Sequence, residues 1–138
     1  MALQDSTSHR IPRERALGMT VGEVMIAQPK TLASDARVRD VRRLFEQSNQ
    51  RTVLLAQHGR FHGAIERDAL PADAPDEDPA ARYADTSPPT ATPDMPVPQA
   101  VELLDRLREP RLVVLDSDGV TLRGLLCLHR SSAGFCVR

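Results

Sequence analysis

The sequence predicts an α/β (α+β) fold made of two similar halves, each with the element order β-α-β-β-α. Three observations support this prediction. Much of the sequence is duplicated, apolar residues recur at helical and strand spacings in the same order in both halves, and glycines mark a turn at corresponding places. Because aromatic residues make up 3% of the chain and Trp is absent, the core is expected to be aliphatic.

The duplication relates the residues from Pro29 onward to those from Pro88 onward. At a spacing of 59 residues the two stretches share four residue types in the same order: Pro29 and Pro88, Thr31 and Thr90, Asp35 and Asp94, Val38 and Val97. The spacing is interpreted as 60 where 51–55 aligns with 111–115, and as 61 where 63–65 aligns with 124–126. Each half is short for an independent fold, so the two are expected to share a core.

Composition divides the chain into four segments. Residues 1–18 are polar and show no apolar period, which is typical of a flexible N-terminal tail. Residues 72–79 form an acidic, proline-rich linker that is expected to pack very little. The first repeat is therefore assigned to 19–71 and the second to 80–138.

The elements of the first repeat follow from caps, spacing and turn residues. Thr20 is predicted to cap a helical turn over 21–25, and Ser34 or Asp35 to begin a longer helix. That helix places four apolar side chains on one face: Val38, Val41, Leu44 and Phe45. The remaining predicted elements are extended residues at 31–32, strands over 52–56 and 61–66 around a turn at 58–60, and a short helix over 67–70.

The second repeat is predicted to follow the same order. Its elements are a helical turn over 80–84, an extended residue at 90, a helix over 97–107, strands over 111–116 and 122–128 around a turn at 117–119, and a short helix or tail after 129. The predicted buried residues are Val38, Val41, Leu44, Phe45, Val53, Leu55, Val97, Val101, Leu104, Val113 and Leu115.

Charge and cysteine content argue against several classes of function. The 18 basic and 19 acidic residues give a net charge of −1, which argues against general nucleic-acid binding. No signal peptide and no membrane span are recognised, so we expect a cytoplasmic, bacterial protein whose two cysteines are reduced. Four arginines of the first long helix, interpreted as a solvated face, leave nucleic acid as a weaker hypothesis: Arg37, Arg39, Arg42 and Arg43.

The order of these elements resembles the CBS domain, which occurs as tandem pairs known as Bateman modules. The resemblance covers residues 20–136 and is carried by a Pro-x-Thr start, an Asp that caps the first long helix, and a Gly-apolar-apolar signal at Gly63 and Gly124. It implies two three-stranded sheets flanked by helices and related by a pseudo-twofold axis, with clefts between the repeats. It also implies a homodimer that senses an adenosine-containing ligand such as AMP, ATP or S-adenosylmethionine.

Nucleotide-binding members of this family carry Gly-apolar-x-Thr-x-x-Asp at the end of the last strand, where the hydroxyl contacts phosphate and the Asp accepts ribose hydroxyls. In this chain Glu66 and Cys127 stand at the hydroxyl position, and Ala69 and Arg130 at the aspartate position. Asp68 lies one residue early. The candidate ligand-binding residues are Thr31, Arg51, Ala64, Ile65, Glu66 and Asp68 in the first repeat, and Thr90, Arg111, Leu126, Cys127, His129 and Arg130 in the second.

These substitutions leave two hypotheses. In the first, the protein is a regulatory sensor that needs no cofactor, binds an adenosyl ligand in the cleft between its repeats and signals to an effector protein. In the second, it is a ligand-free dimerisation and interaction scaffold. Cys127, His129 and Cys136 offer at most three zinc ligands, so the cysteines are interpreted as core residues and not as a metal site. The sequence shows no catalytic constellation, so we expect no enzyme activity.

Overall fold

The computed structural model describes residues 10–48, 50–108, 110–129 and 134–136, which fall into two compact units. We call Lys30–Pro88 the first-repeat unit, and the combination of Met1–Pro29 with Pro89–Arg138 the second-repeat unit. The elements in chain order are β1 (Arg10–Pro12), α1 (Arg13–Ala16), α2 (Val21–Val24), β2 (Thr31–Leu32), α3 (Val38–Gln47), β3 (Thr52–Gln57), β4 (Arg60–Glu66), β5 (Thr90–Ala91), α4 (Val97–Asp105), β6 (Arg111–Leu115), β7 (Leu122–His129) and β8 (Gly134–Cys136), with 3-10 turns at Arg67–Ala69 and Ala80–Tyr83.

The first-repeat unit is a three-stranded sheet packed against α3. Strand β2 runs parallel to β3, and β3 runs antiparallel to β4. Residues four apart on a helix share a face, which lets Val41 and Phe45 of α3 point at the sheet together. The core cluster consists of Val41, Phe45, Val53, Leu55, Ile65 and Ala80.

The second-repeat unit has a larger sheet, in the order β1-β8-β7-β6-β5. Its core also includes residues of α1, α2 and α4, so it draws on both ends of the chain. The core cluster consists of Ala16, Val21, Val24, Ala91, Val97, Ala100, Val101, Leu104, Leu112, Val114, Leu126, Leu128 and Phe135.

The predicted buried set is confirmed with one exception, because Leu44 is only partly buried at the edge of the first core. The strand and helix order is also confirmed over the middle of each repeat. The start of α3 differs from the prediction: it begins at Val38, and Oδ2 of Asp40 accepts a 2.9 Å hydrogen bond from the Arg37 N–H. The cap thus comes from inside the first turn and not from Asp35.

Both predicted ends of the chain require correction. Strand β1 pairs with β8, and α1 buries Ala16 completely, so part of the predicted flexible tail has regular structure. After His129 the chain forms a strand where a helix or tail is predicted, and Phe135 of that strand is fully buried. Strands of three residues are too short for their periodicity to be recognised. The sheet consequently has five strands and not the three that the resemblance implies.

The compact units do not coincide with the predicted sequence repeats, because each hairpin receives a segment from earlier or later in the chain. In the first-repeat unit Ala64 exchanges backbone hydrogen bonds of 2.9 and 2.8 Å with Asp85. In the second-repeat unit Leu125 does the same with Ile26, at 3.1 and 2.8 Å. Residues 80–85 therefore belong with the first repeat, and 21–26 with the second.

Two corresponding glycines allow this close approach. A Cβ atom at Gly63 would lie 2.7 Å from Cβ of Ala84, and one at Gly124 would lie 2.6 Å from the carbonyl oxygen of Ile26. In folded proteins a Cβ atom does not come this close to another heavy atom, so each of these two positions excludes a side chain. The Gly-apolar-apolar signal marks the place where a segment outside the hairpin joins it.

The acidic linker is ordered by arginines of α3, contrary to the prediction that it packs little. Arg42 pairs with Asp76, and the Nη1 atoms of Arg37 and Arg39 lie 3.4 and 2.9 Å from the Glu77 carboxylate. These contacts join residues more than thirty positions apart in the sequence, so composition alone could not indicate them. Three of the four arginines predicted to form a solvated helix face, Arg37, Arg39 and Arg42, instead pair with acidic residues of the linker. This pairing weakens the case for nucleic-acid binding.

The alignment of the two repeats needs one further correction. Thr31 lies opposite Leu54 and Thr90 opposite Val113, so the spacing stays at 59 through β6. Arg111 therefore corresponds to Thr52 and not to Arg51. The spacing becomes 61 only beyond the longer turn between β6 and β7. An insertion in a turn leaves both strands facing the same way, whereas a one-residue slip within a strand would exchange their faces.

Candidate functional site

Most candidate residues of each repeat gather at one end of its hairpin, where the first strand begins and the second ends. In the first-repeat unit Thr52 opens β3 and lies opposite Glu66, which closes β4. In the second-repeat unit Arg111 opens β6 and lies opposite Cys127 near the end of β7. These two cross-strand pairs are equivalent in the corrected alignment, so one backbone arrangement presents two different sets of side chains.

Glu66 is held by a buried hydroxyl group. The Oγ1 atom of Thr52 donates a 2.7 Å hydrogen bond to Oε2 of Glu66, and Thr52 is only 4% exposed. A hydrogen bond to a carboxylate is stronger than one between neutral groups, so it fixes the glutamate side chain along the strand end. Sequence reasoning identified Glu66 but missed Thr52. A threonine just before a series of aliphatic residues is typical of an ordinary strand and gives no sign of a functional role.

Arg51 and Asp68 form an ion pair at the exposed edge of the same hairpin. The Nη2 atom of Arg51 lies 2.6 Å from Oδ2 of Asp68, and both side chains are about half exposed or more. The pair gives both candidate side chains a partner within the fold, as expected for an arginine at the surface of the protein. Their predicted roles in ligand binding stay predictions.

Arg67 stabilises the backbone beyond α3. Its Nη2 atom donates to the carbonyl oxygens of Phe45, Ser48 and Gln50 at 2.8, 3.0 and 2.7 Å, and Nε donates to Gln50 at 3.0 Å. The guanidinium also lies over the Phe45 ring, with Cζ 4.8 Å from its centroid. Carbonyls at a helix C-terminus lack partners within the helix, so this arginine caps α3 from the 3-10 turn that follows β4.

Three apolar candidates are part of the fold and do not present side chains to a ligand. Ile65 and Leu126 are completely buried, each in the core of its own unit. Ala64 is 5% exposed and uses both its N–H and its C=O in the bridge to Asp85. The side chains of these three residues are therefore taken up by the fold, and their predicted part in ligand binding stays a prediction.

In the second-repeat unit a cationic group and two thiols lie together. Arg111 is half-buried opposite Cys127, and Cys127 and Cys136 are both partly buried and not joined by a disulfide. A hydrogen bond with Cys136 and burial raise the pKa of Cys127, while the nearby Arg111 guanidinium acts in the opposite direction. Sequence reasoning placed Arg111 and Cys127 in the site but considered Cys136 only as a zinc ligand, because the strand β8 that brings it next to Cys127 was not predicted.

For the four remaining candidate ligand-binding residues, the structure gives little information about a role in binding. Thr31 and Thr90 are exposed at the short strands β2 and β5, which run parallel to β3 and β6. The His129 backbone closes β7 opposite Gly134. Arg130 lies outside the described residues, as does the side chain of His129. Their predicted roles stay predictions.

The electrostatic character of the two equivalent positions is opposite. The first repeat presents a carboxylate held by a hydroxyl, and the second presents a guanidinium beside a thiol. A guanidinium binds phosphate through paired N–H donors, whereas a carboxylate repels phosphate and accepts hydrogen bonds from hydroxyl groups. The second-repeat unit is thus suited to an anionic group and the first to a neutral, hydroxyl-bearing one.

Other surface features do not coincide with these residues. An open depression of about 430 Å³ lies along α3 of the first-repeat unit, lined by Leu32, Ala36, Arg43, Leu44 and Gln47 among others. Within the described ranges no cluster of three or more His, Cys, Asp or Glu could hold a metal ion. Over the same ranges, no helix combines the length and apolar character needed to cross a membrane.

Comparisons with known proteins agree with this architecture. Residues 80–130 match the CBS domain family, and a search of curated proteins gives no match. CBSX2 from Arabidopsis thaliana, in its complex with AMP, superposes with a TM-score of 0.72 at 20% identity, over 84% of this chain and 93% of that one. At 20% identity, this structural similarity establishes the fold of the present chain.

Two further structures are similar over part of their length. The cystathionine β-synthase pair domain of a Shewanella oneidensis MR-1 protein has a TM-score of 0.69 at 19% identity, over 79% of this chain and 65% of that one. The cytosolic domain of the Mg²⁺ channel MgtE, in complex with ATP, has a TM-score of 0.68 at 16% identity, over 79% of this chain and 46% of that one. This chain therefore spans less than two thirds of either structure.

Proposed function

We propose that this protein, a member of the CBS domain family with the fold of a CBS domain pair, is a regulatory module that binds an adenosine-containing ligand. Two similar structures are complexes with AMP and with ATP, which supports this ligand class. A ligand shifts a conformational equilibrium only by its difference in affinity for the two states. Binding would therefore signal by favouring one arrangement of the protein over another, and the proposed role is regulatory and not catalytic.

The observation that carries this proposal is the Arg111–Cys127 pair. Arg111 is half-buried at the head of β6, directly opposite the residue that stands where nucleotide-binding relatives carry a phosphate-contacting hydroxyl. Partial burial lowers the effective dielectric around the guanidinium and strengthens its attraction for an anion. We propose that Arg111 binds the phosphate of the ligand in place of the absent hydroxyl.

Glu66 supports a complementary role for the first-repeat unit. The hydrogen bond from Thr52 holds its carboxylate at the end of β4, where it can accept hydrogen bonds from ribose hydroxyls. Such charge-assisted hydrogen bonds are worth about 1.5–3 kcal/mol each. We propose that Glu66 takes over the function of the ribose-binding aspartate, whose position is occupied by Ala69.

The output of such a module passes through other chains. We propose that the protein acts in the cytoplasm as a homodimer and transmits the ligand signal to an effector protein.

One observation favours the alternative, a ligand-free interaction scaffold. In the first-repeat unit several polar candidates already have structural partners: Arg51 pairs with Asp68, Glu66 accepts from Thr52, and Arg67 caps the end of α3. A unit whose polar groups are satisfied internally gains less from a ligand. If no ligand binds, we propose that the protein assembles with its partner independently of nucleotides.

A thermal-shift panel distinguishes the two functions. The full-length protein is heated with AMP, ADP, ATP, adenosine, NAD, S-adenosylmethionine or cyclic dinucleotides. Ligand at about a hundred times its Kd adds about 2.7 kcal/mol to the folded state, which raises the Tm of a domain of this size by about 9 °C. A rise with an adenosine-containing compound, absent with the matching guanosine compound, supports the sensor. A flat panel contradicts the sensor and leaves the scaffold.

A further inference from the structure

The two cysteines face each other across neighbouring strands. Leu128 lies opposite Phe135 and His129 opposite Gly134 in the β7–β8 pair. Because antiparallel pairing advances in opposite directions along the two strands, the next pair in this register is Cys127 with Cys136. Their side chains therefore project from the same face of the sheet, and the two thiols are hydrogen-bonded to each other.

This placement meets the geometric requirement for a disulfide. Directly opposed residues in an antiparallel pair have Cα atoms about 4.5–5.5 Å apart. Disulfides connect Cα atoms about 4.4–6.8 Å apart, so the backbone needs little movement to accommodate one. Neither cysteine is in a disulfide, and both are only partly buried, which leaves them accessible to a small reagent.

The surroundings distinguish the two thiols chemically. The hydrogen bond with Cys136 and burial raise the pKa of Cys127, so this thiol retains its proton and donates it towards Cys136. The Arg111 guanidinium opposite Cys127 acts in the opposite direction on the pKa of that thiol. A protonated Cys127 that lies opposite Cys136 is placed to act as the resolving thiol once Cys136 has reacted.

We propose that Cys127 and Cys136 form a reversible dithiol–disulfide pair that exchanges with low-molecular-weight disulfides of the glutathione class. The Cys136 thiolate attacks one sulfur of the small disulfide, forming a mixed disulfide and releasing one small thiolate, which takes up a proton. Cys127 then loses its proton to solvent and attacks the Cys136 sulfur, releasing the second small thiol. The protein loses two electrons and two protons, and the small disulfide is reduced to two thiols.

Oxidation would covalently link β8 to β7. Strand β8 lies between β1 and β7, and the fully buried Phe135 lies next to Cys136 along the strand. The bond would fix this edge of the second-repeat sheet and would remove the Cys127 proton beside Arg111. The first-repeat unit contains no cysteine, so the device belongs to one repeat only.

The test is a thiol count on the folded full-length protein. Reduced protein is incubated in mixtures of oxidised and reduced glutathione, quenched in acid, alkylated with N-ethylmaleimide and weighed intact. The proposal predicts one two-electron transition from two alkylated thiols to none, in a monomeric chain that lacks two hydrogens. Because the transition is measured on the unmodified protein without nucleotide, it succeeds or fails independently of the proposed ligand function.

Two matched variants test the order of attack. Cys127→Ser should accumulate a mixed disulfide with glutathione on Cys136, and Cys136→Ser should keep Cys127 largely as a thiol. Neither variant should lose both thiol equivalents through an internal bond. The proposal is overturned if the wild-type chain keeps two thiols in an excess of oxidised glutathione, or if it forms disulfides only between chains.

Discussion

At the open end of its hairpin, the first-repeat unit pairs Thr52 with Glu66, whereas the second-repeat unit pairs Arg111 with Cys127 at the equivalent place. The strand registers around the two pairs are the same, and both hairpins receive an outside segment next to a glycine. What differs is the sign of the charge that each repeat presents. Duplication has preserved the backbone hydrogen bonds while the side chains at the strand ends diverged.

Arg67 and Leu128, which occupy equivalent positions in the two repeats, also combine a kept backbone hydrogen bond with different side-chain roles. Their backbone N–H groups donate to corresponding carbonyls, Arg67 to Arg51 at 2.7 Å and Leu128 to Pro110 at 3.0 Å. The side chains differ, because Arg67 caps the end of α3 whereas Leu128 is 7% exposed in the core of its unit. One repeat therefore stabilises this corner with charge-assisted hydrogen bonds and the other with apolar packing.

The largest effect is expected when Arg67 is replaced by the residue of the other repeat. Arg67→Leu should lower the free energy of unfolding by about 2–3 kcal/mol, because it removes charged donors from three carbonyls near the end of α3. Urea denaturation measures the change. The control Arg82→Gln removes an exposed arginine paired with Asp78 and should change stability by about 0.5 kcal/mol or less. A loss equal to that of the control would mean that Arg67 is not a cap.

A smaller and shared effect is expected at the two glycines. Gly63→Ala and Gly124→Ala should each destabilise by about 1–3 kcal/mol, since the new methyl group would force apart two chain segments. Gly124→Ala should be the more damaging, because its Cβ would meet a backbone oxygen and not a methyl group. Gly18→Ala is the matched control, with no atom within 4 Å of the added Cβ. Equal stability of all three variants would contradict the equivalence of the two junctions.

A pH dependence of stability is expected from Cys127 in the second repeat. A thiol whose pKa is raised by folding contributes stability that is fully present below its ordinary pKa of about 9.0 and is lost as the pH rises above it. Under reducing conditions the wild-type protein should therefore lose more stability between about pH 8 and pH 10.5 than Cys127→Ala does. Urea denaturation at both pH values measures the difference. Parallel losses in the two proteins would show that Cys127 is not the responsible group.

The fold could be predicted from sequence wherever long elements repeat. The helix faces and central strands appear in both halves with the same spacing, so Val41, Val53, Val101 and Val113 are correctly predicted as buried. The short strands β1 and β8 could not be predicted, because three residues carry no usable period. Their pairing depends on contacts between the two ends of the chain.

The candidate site could be predicted only in part, because the alignment of the repeats depends on where an insertion lies. Sequence similarity aligned Arg51 with Arg111, whereas the strand pairing aligns Thr52 with Arg111. That difference of one residue decides which side chain faces Glu66. The linker shows the same limit, since its order depends on Arg42 and Asp76, which lie 34 positions apart.

The central claim is that the charge difference between the two repeats determines how the ligand binds, and calorimetry with Arg111→Gln tests it most directly. AMP and uncharged adenosine are titrated into the wild-type protein, Arg111→Gln, and the control Arg123→Gln, which removes an exposed arginine from β7. Losing a charged hydrogen bond to phosphate should weaken AMP about 10–100-fold and leave adenosine unchanged. Unaltered AMP affinity in Arg111→Gln, or an equal loss in Arg123→Gln, would contradict the claim.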